Sequence, residues 1–271
     1  MDDFYKRMTD DKLYNITGIQ KMYFNTIYQW YYDMKKNPTI AEKAKTWLFM
    51  PDLFGFLLTG EKYNEYTMAS TGAVIDAQTR EYSQELFKDL GLPTDFLQKL
   101  VKPGTIMGAL TKEIQEETGL GAIPVVAVGS HDTASAVAGT PLTSQNEVYL
   151  VCGTWCLMGM ELDSPYINSA SRDFNITNEG GVENKIRFLK NINGLWFLQQ
   201  LRKGWNEQGK SLGFPDIIKE VINTTHDYAV DAADPRFMAP SSMEQEIIDY
   251  CKETYGVELS TVGEVARAAY N

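Results

Sequence analysis

The sequence predicts an α/β protein, and three observations carry that reading. Ile123-Pro124-Val125-Val126-Ala127-Val128 is a short β-branched run, apolar on both faces, that leads through Gly129-Ser130-His131-Asp132-Thr133 into small residues at 134–139. That is the pattern of a strand covered on both sides and followed by a helix packed against the sheet. Val148-Tyr149-Leu150-Val151 and the apolar residues 155–160 flank Gly153-Thr154, as two strands flank a hairpin turn. The segment before residue 100, by contrast, carries its apolar residues at helical spacing.

In chain order, Ile27, Trp30, Tyr31 and Met34 recur on one helical face. A second helix is expected over residues 38–47, with Pro38 suited to its first turn. Residues 48–60 are apolar almost all round, which predicts a buried helix ended by Gly60. Ser83 is an N-cap residue for a helix over 84–90, with Gly91 after its last turn and Pro93 preventing resumption. No chemistry is assigned to these scaffold elements. Pro141-Leu142-Thr143-Ser144-Gln145-Asn146 is polar and turn-rich, so a domain boundary is placed there, giving domains of residues 1–142 and 143–271. Beyond it, residues 186–189 read as a strand. Residues 194–205 read as a helix with Leu195, Leu198, Arg202 and Trp205 on one face and Gln199 off it. Ser241-Ser242-Met243-Glu244 has the form of a capping box opening a helix toward Cys251. Residues 265–271 look like a helix still developing where the sequence stops, from which an incomplete chain is expected.

Composition bounds the function. A length of 271 residues fits two domains or one large one. With 44% apolar and 23% charged residues, the chain is globular in type, which excludes disordered and collagen-like classes. Lys plus Arg number 25 against 36 Asp plus Glu, a net charge of −11. Such a balance repels phosphate backbones and anionic lipid, so nucleic-acid and membrane-surface roles are disfavoured. Net charge does not speak to a single phosphate-binding pocket. Cys152, Cys156 and Cys251, with only His131 and His226 beside them, make neither a disulfide framework nor a metal centre, and small buried thiols in a reducing compartment are expected. The opening Met-Asp-Asp-Phe-Tyr-Lys-Arg has no apolar signal region. No apolar stretch approaches the ~20 residues of a membrane helix. A soluble cytoplasmic protein with no metal ligands of its own is the expectation.

Two places carry candidate chemistry. Asp132 lies just past the carboxyl end of a strand, where open α/β sheets bind ligands. A carboxylate there can accept a proton from a bound hydroxyl, or it can simply cap the helix that follows, and residue spacing leaves both readings open. The Gly153-Thr154 turn can bring backbone N–H groups to a phosphate, or be an ordinary hairpin turn. Asn178-Glu179-Gly180-Gly181 is open to the same two readings, with a plain turn favoured. Neither G-x-x-x-x-G-K-[ST] nor G-x-G-x-x-G occurs.

Taken in order, Gly129-Ser130-His131-Asp132-Thr133-Ala134-Ser135-Ala136-Val137 and Cys152-Gly153-Thr154-Trp155-Cys156-Leu157-Met158-Gly159 resemble the FGGY carbohydrate kinases. The resemblance extends upstream through Ile16-Thr17-Gly18-Ile19-Gln20, Phe24-Asn25-Thr26, Met50-Pro51-Asp52 and Leu58-Thr59-Gly60. Downstream it takes in Thr177-Asn178-Glu179-Gly180-Gly181, Leu189-Lys190-Asn191-Ile192 and Gly194-Leu195-Trp196. It implies an actin-like, ribonuclease-H-like fold of two α/β domains, both incomplete here, with the first on the sugar side and the second on the nucleotide side. The implied reaction is ATP-dependent and Mg²⁺-dependent phosphorylation of L-rhamnulose at its 1-hydroxyl, with L-fuculose as the alternative ketose. A remnant that binds sugar or a partner without catalysis is the alternative of another class. The resemblance further implies Asp132 as general base, His131 and Thr133 as ketose contacts, and Gly153, Thr154, Asn191 and Gln199 as nucleotide contacts. Cys152 and Cys156 replace small residues of the family pattern. The Asp-x-Gly phosphate-binding hairpin and the glycine-rich adenosine segment are not found in these residues, so the isolated chain is expected to be inactive.

Overall fold

The computed structural model describes residues 2–144 and 146–271; Met1 of the expected leaderless start and Gln145 of the expected boundary loop lie outside the described residues. Helices α1 (Asp2–Tyr5), α2 (Asp10–Thr17), α3 (Thr26–Lys36) and α4 (Pro38–Lys43) come first. Ile27, Trp30 and Tyr31 are buried on α3 as their spacing predicts. Helix α4 ends short of the expected residue 47. Trp47 instead bridges Leu97 in parallel and packs on Trp30 with ring centroids 4.6 Å apart. Burial of a large indole outweighs the weak propensity to continue a helix.

Helix α5 (Met50–Thr59) ends, as expected, at Gly60, whose φ of 77° is the left-handed conformation glycine adopts without a Cβ penalty. It is not buried all round: Asp52 and Gly55 face inward while Met50, Leu57 and Phe54, the last 59% exposed, do not. There follow β1 (Asn64–Glu65), α6 (Tyr66–Thr71), α7 (Gln84–Leu90), β2 (Leu100–Val101), β3 (Ile106–Ala109), α8 (Lys112–Thr118), β4 (Pro124–Val126) and α9 (Asp132–Ala138). Ser83 caps α7 by accepting from the Leu86 N–H, and Gly91 closes it. Strand β1 pairs in parallel with β2, and β3 pairs antiparallel with β4. The expected doubly covered strand is therefore corrected to a three-residue strand in a two-stranded sheet, with Val128 beyond it 63% exposed. With β3 as its one strand partner among the described residues, β4 has no second strand beside it, and Pro124 and Val126 are exposed while Val125 is half-buried.

Strands β5 (Tyr149–Cys152) and β6 (Trp155–Leu162) enclose the expected 153–154 turn. After α10 (Ser169–Asp173) come β7 (Thr177–Gly180) and β8 (Ile186–Asn193), giving the sheet order β5-β6-β8-β7. Residues 178–180, expected as a turn, are strand: β7 pairs antiparallel with β8, Glu179 opposite Arg187. Burial of all four β7 residues, polar ones included, hid the strand from an alternation argument.

The chain ends in α11 (Trp196–Glu207), α12 (Phe214–Asn223), α13 (Met243–Tyr255) and α14 (Val262–Tyr270). Helix α11 starts two residues later than expected and buries Phe197, Leu198, Leu201 and Trp205, leaving Leu195 exposed. Ser242 caps α13 by accepting from the Gln245 N–H. Glu244 is otherwise engaged, accepting from Trp205 Nε1 at 2.6 Å.

Two compact units result: residues 1–149 with 159–190, and residues 150–158 with 191–271. They differ from a cut at 142/143 because β5, β6 and β8 each give residues to both. The first unit has a core around Trp30, which meets Phe87 and Phe96 at centroid distances of 5.2 Å each. The second is built on Trp205, Leu201, Ile217, Phe237, Ile247 and Val265.

Candidate active site

In the first unit, the 129–133 loop is held from beneath by Glu65. This buried carboxylate caps α6, accepting from the Thr67 N–H at 2.8 Å and the Met68 N–H at 3.2 Å. It also accepts from the Ser130 N–H at 3.0 Å and the Ser130 hydroxyl at 2.7 Å. The His131 N–H donates to Thr67 Oγ1 at 3.2 Å, and the Ser135 hydroxyl donates to the Gly129 carbonyl at 2.6 Å. Every link is a hydrogen bond to backbone or to a short side chain, which fixes the loop's position closely.

That loop sets His131 as the residue preceding α9 and Asp132 as the first residue within it. Asp132 is exposed, and its Oδ1 accepts from the Thr133 N–H at 2.7 Å and lies 3.4 Å from the Thr133 hydroxyl. One carboxylate oxygen thus serves the helix end, where the peptide dipoles favour negative charge. Thr133 is buried. His131 Nδ1 lies 3.0 Å from Arg187 Nη2 and 3.7 Å from Glu179 Oε2. Burial holds the His131 imidazole below its ordinary pKa, against the pull of Glu179. Glu179 Oε2 and Arg187 Nη2 are themselves 3.0 Å apart, an ion-pair contact whose alignment falls short of a hydrogen bond. Neither Glu65 nor the Glu179–Arg187 pair was singled out from sequence for a site. Charged residues inside short polar runs carry no periodicity, and only the antiparallel register brings 179 and 187 together.

In the second unit, the Gly153-Thr154 turn is tied to the start of α11. Leu195 N–H donates to the Gly153 carbonyl at 2.9 Å, and the Gly194 and Trp196 N–H groups donate to the Thr154 carbonyl at 3.1 Å each. A Cβ on Gly194 would lie 2.5 Å from Cys156 Sγ and 2.8 Å from Cys156 N, so the close approach requires glycine there. The Gln199 amide donates to the exposed Thr154 hydroxyl at 3.2 Å. Asn191 lies half-buried on β8 in the same unit. Cys152 is exposed rather than buried; the Cys156 thiol is pushed up by burial and by Cys152 beside it. The expected substrate contacts His131, Asp132 and Thr133 thus fall in one unit. The expected nucleotide contacts Gly153, Thr154, Asn191 and Gln199 fall in the other.

Among the described residues no group of three or more His, Cys, Asp or Glu side chains is placed to hold a metal ion, and no helix is long and apolar enough to cross a membrane.

A rhamnulokinase of Bacteroides thetaiotaomicron is 40% identical over 268 residues, 98% of this chain and 54% of that protein. One from Oceanobacillus iheyensis is 37% identical over 271 residues, 100% of this chain and 57% of that protein. The chain therefore spans about half the length of the curated relatives it matches. Among solved structures, a xylulose kinase from Rhodospirillum rubrum superposes with a TM-score of 0.72 at 17% identity, covering 98% of this chain and 53% of that one. Plasmodium falciparum glycerol kinase, solved with ADP, gives 0.68 at 14% identity over 95% of this chain and 58% of that one. These likenesses establish the fold as that of the actin-like sugar kinases. The FGGY amino-terminal domain matches residues 1–139 and the FGGY carboxy-terminal domain residues 148–270, so the chain belongs to the FGGY family of carbohydrate kinases.

Proposed function

We propose that this chain carries part of the machinery that transfers the γ-phosphoryl group of ATP to the 1-hydroxyl of L-rhamnulose, giving L-rhamnulose 1-phosphate. The observation that carries the reading is the 40% identity to a rhamnulokinase across 98% of the chain. In this reading residues 1–142 are the sugar side and 143–271 the nucleotide side, and the setting is cytoplasmic. A sugar hydroxyl is a poor nucleophile, and Asp132 is the general base that takes its proton as the bond to phosphorus develops. The carboxylate suits this task because Thr133 fixes one oxygen. His131 and Thr133 contact ketose oxygens. Gly153, whose N–H donates to the Trp155 carbonyl at 2.9 Å, keeps the turn free of a side chain where the phosphates approach, and Thr154, Asn191 and Gln199 offer polar side chains. Mg²⁺ comes with the nucleotide in this reading and neutralises phosphate charge; the described residues form no metal cluster of their own, and no step is assigned to a protein-held ion.

A pair of variants in the protein carrying this chain tests the reading. Asp132→Asn lowers kcat by at least ~100-fold with little change in ATP binding, whereas Thr154→Val raises the KM for ATP and leaves ketose affinity nearly intact. Wild-type turnover by the first variant, or a selective loss of ketose binding in the second, overturns the assignment.

A further inference from the structure

Behind His131 sits a charged pair that no part of the proposed chemistry uses. Arg187 and Glu179 face each other across β7 and β8, with side chains 0% and 7% exposed. Arg187 Nε donates to the Gly180 carbonyl at 3.1 Å, and the Gly180 N–H donates to Ser70 Oγ at 2.8 Å. The guanidinium plane is thereby fixed, with Nη2 3.0 Å from His131 Nδ1. A guanidinium offers donors only and keeps its proton at any ordinary pH. An imidazole nitrogen at that distance therefore presents its lone pair, and in a neutral ring the proton belongs to the other nitrogen.

We infer that Arg187 is a positioning residue that locks His131 in the neutral tautomer protonated at Nε2, so that His131 meets a bound ketose as a hydrogen-bond donor and takes no part in removing its proton. The charged groups around the ring are Glu179 on β7, Arg187 on β8, Glu65 at the head of α6 and Asp132 beside it in the chain. The three carboxylates favour an imidazolium. Burial and Arg187 oppose it, and the balance keeps the ring below its ordinary value. With Arg187 gone, Glu179 at 3.7 Å would draw a proton onto Nδ1. With Arg187 present, the ring has no lone pair at Nε2 for a substrate proton, which leaves Asp132 as the proton acceptor of this loop. A donor-only Nε2–H selects a hydroxyl or carbonyl oxygen.

The ketose part of this inference rests on the proposed kinase reading; the tautomer lock does not. Ring-¹⁵N NMR of the protein carrying this chain, with the His131 signals assigned by their loss in His131→Gln, reads that ring directly. His131 is expected to show a pyridine-type Nδ1 and a pyrrole-type Nε2, and to protonate below the ordinary imidazole midpoint. Arg187→Met is expected to lose that pattern and raise the midpoint by about 1 unit or more, while Arg187→Lys, still a donor-only cation, retains the tautomer. An Nδ1–H pattern in the wild-type spectrum overturns the lock, and that spectrum decides even where Arg187→Met fails to fold. A locked ring whose Nε2 signal L-rhamnulose does not shift overturns the ketose contact and leaves the lock standing.

Discussion

At Asp52 burial and hydrogen bonding pull in opposite directions. The carboxylate accepts from Asn64 Nδ2 at 3.0 Å and from the Glu65 N–H at 3.1 Å, yet the residue is 5% exposed. Burial wins and pushes its carboxyl up to about 6 from an ordinary 3.8. Because the folded value lies above the unfolded one, the folded state binds the extra proton between those limits. Stability contributed by this residue is highest below the unfolded value, declines as pH rises through the window, and is lost above the folded value. A gap of about 2 units corresponds to about 3 kcal/mol. Asn64 Oδ1 is buried without a partner, and a rotated Asn64 amide would offer it to the protonated carboxyl. Asp52→Asn has nothing to titrate there. Denaturant midpoints should show the wild type losing about 2.5 kcal/mol relative to the variant between about pH 4 and about pH 7.5. A difference that does not move with pH contradicts the account.

Among the elements, β6 and β8 show how closely packing is set by single glycines. A Cβ on Gly159 would lie 2.5 Å from Leu189 Cβ, 2.6 Å from the Phe188 carbonyl oxygen and 2.9 Å from Leu189 Cα. Two of those atoms are backbone and cannot step aside, so Gly159→Ala is expected to cost roughly 1–3 kcal/mol or more. Gly204 inside α11 has open space around it, and Gly204→Ala is expected to gain up to about 1 kcal/mol. Thermal melts of both variants check this, and equal effects at the two positions contradict it. The contrast also marks what is legible in a sequence. Helix caps at Ser83, Gly60 and Gly91 and the 153–154 hairpin depend on neighbours in the chain, and each is found where residue chemistry puts it. The short β4 and the shortened α4 depend on partners farther along the chain, and the strand over 177–180, though it pairs with the next strand, buries polar residues that carry no alternation. Trp47 leaves a helix to meet Trp30, and Glu179 joins a strand because Arg187 lies opposite. The site divides in the same way. Asp132 and Thr154 stand in recognisable local blocks, whereas Glu65 and Arg187, which hold the loop and the imidazole, are reached only through tertiary pairing.

For the whole molecule, the proposed division of labour follows the two compact units. Each has its own aromatic-anchored core, and each holds one of the two groups of candidate contacts. The family match likewise assigns its amino-terminal and carboxy-terminal domains to residues 1–139 and 148–270. The proposed chemistry asks the first group to bind and deprotonate a ketose and the second to present a phosphoryl group, so catalysis requires both at once. The most direct measurement is a ketose panel with Mg-ATP on the protein carrying this chain, wild type beside Asp132→Asn, following sugar-dependent ADP release and identifying the product by NMR. The account predicts that L-rhamnulose has the highest kcat/KM, that phosphate appears on its 1-hydroxyl, and that Asp132→Asn lowers kcat by at least ~100-fold. Preference for L-fuculose would contradict the substrate, and full turnover by Asp132→Asn would contradict the mechanism.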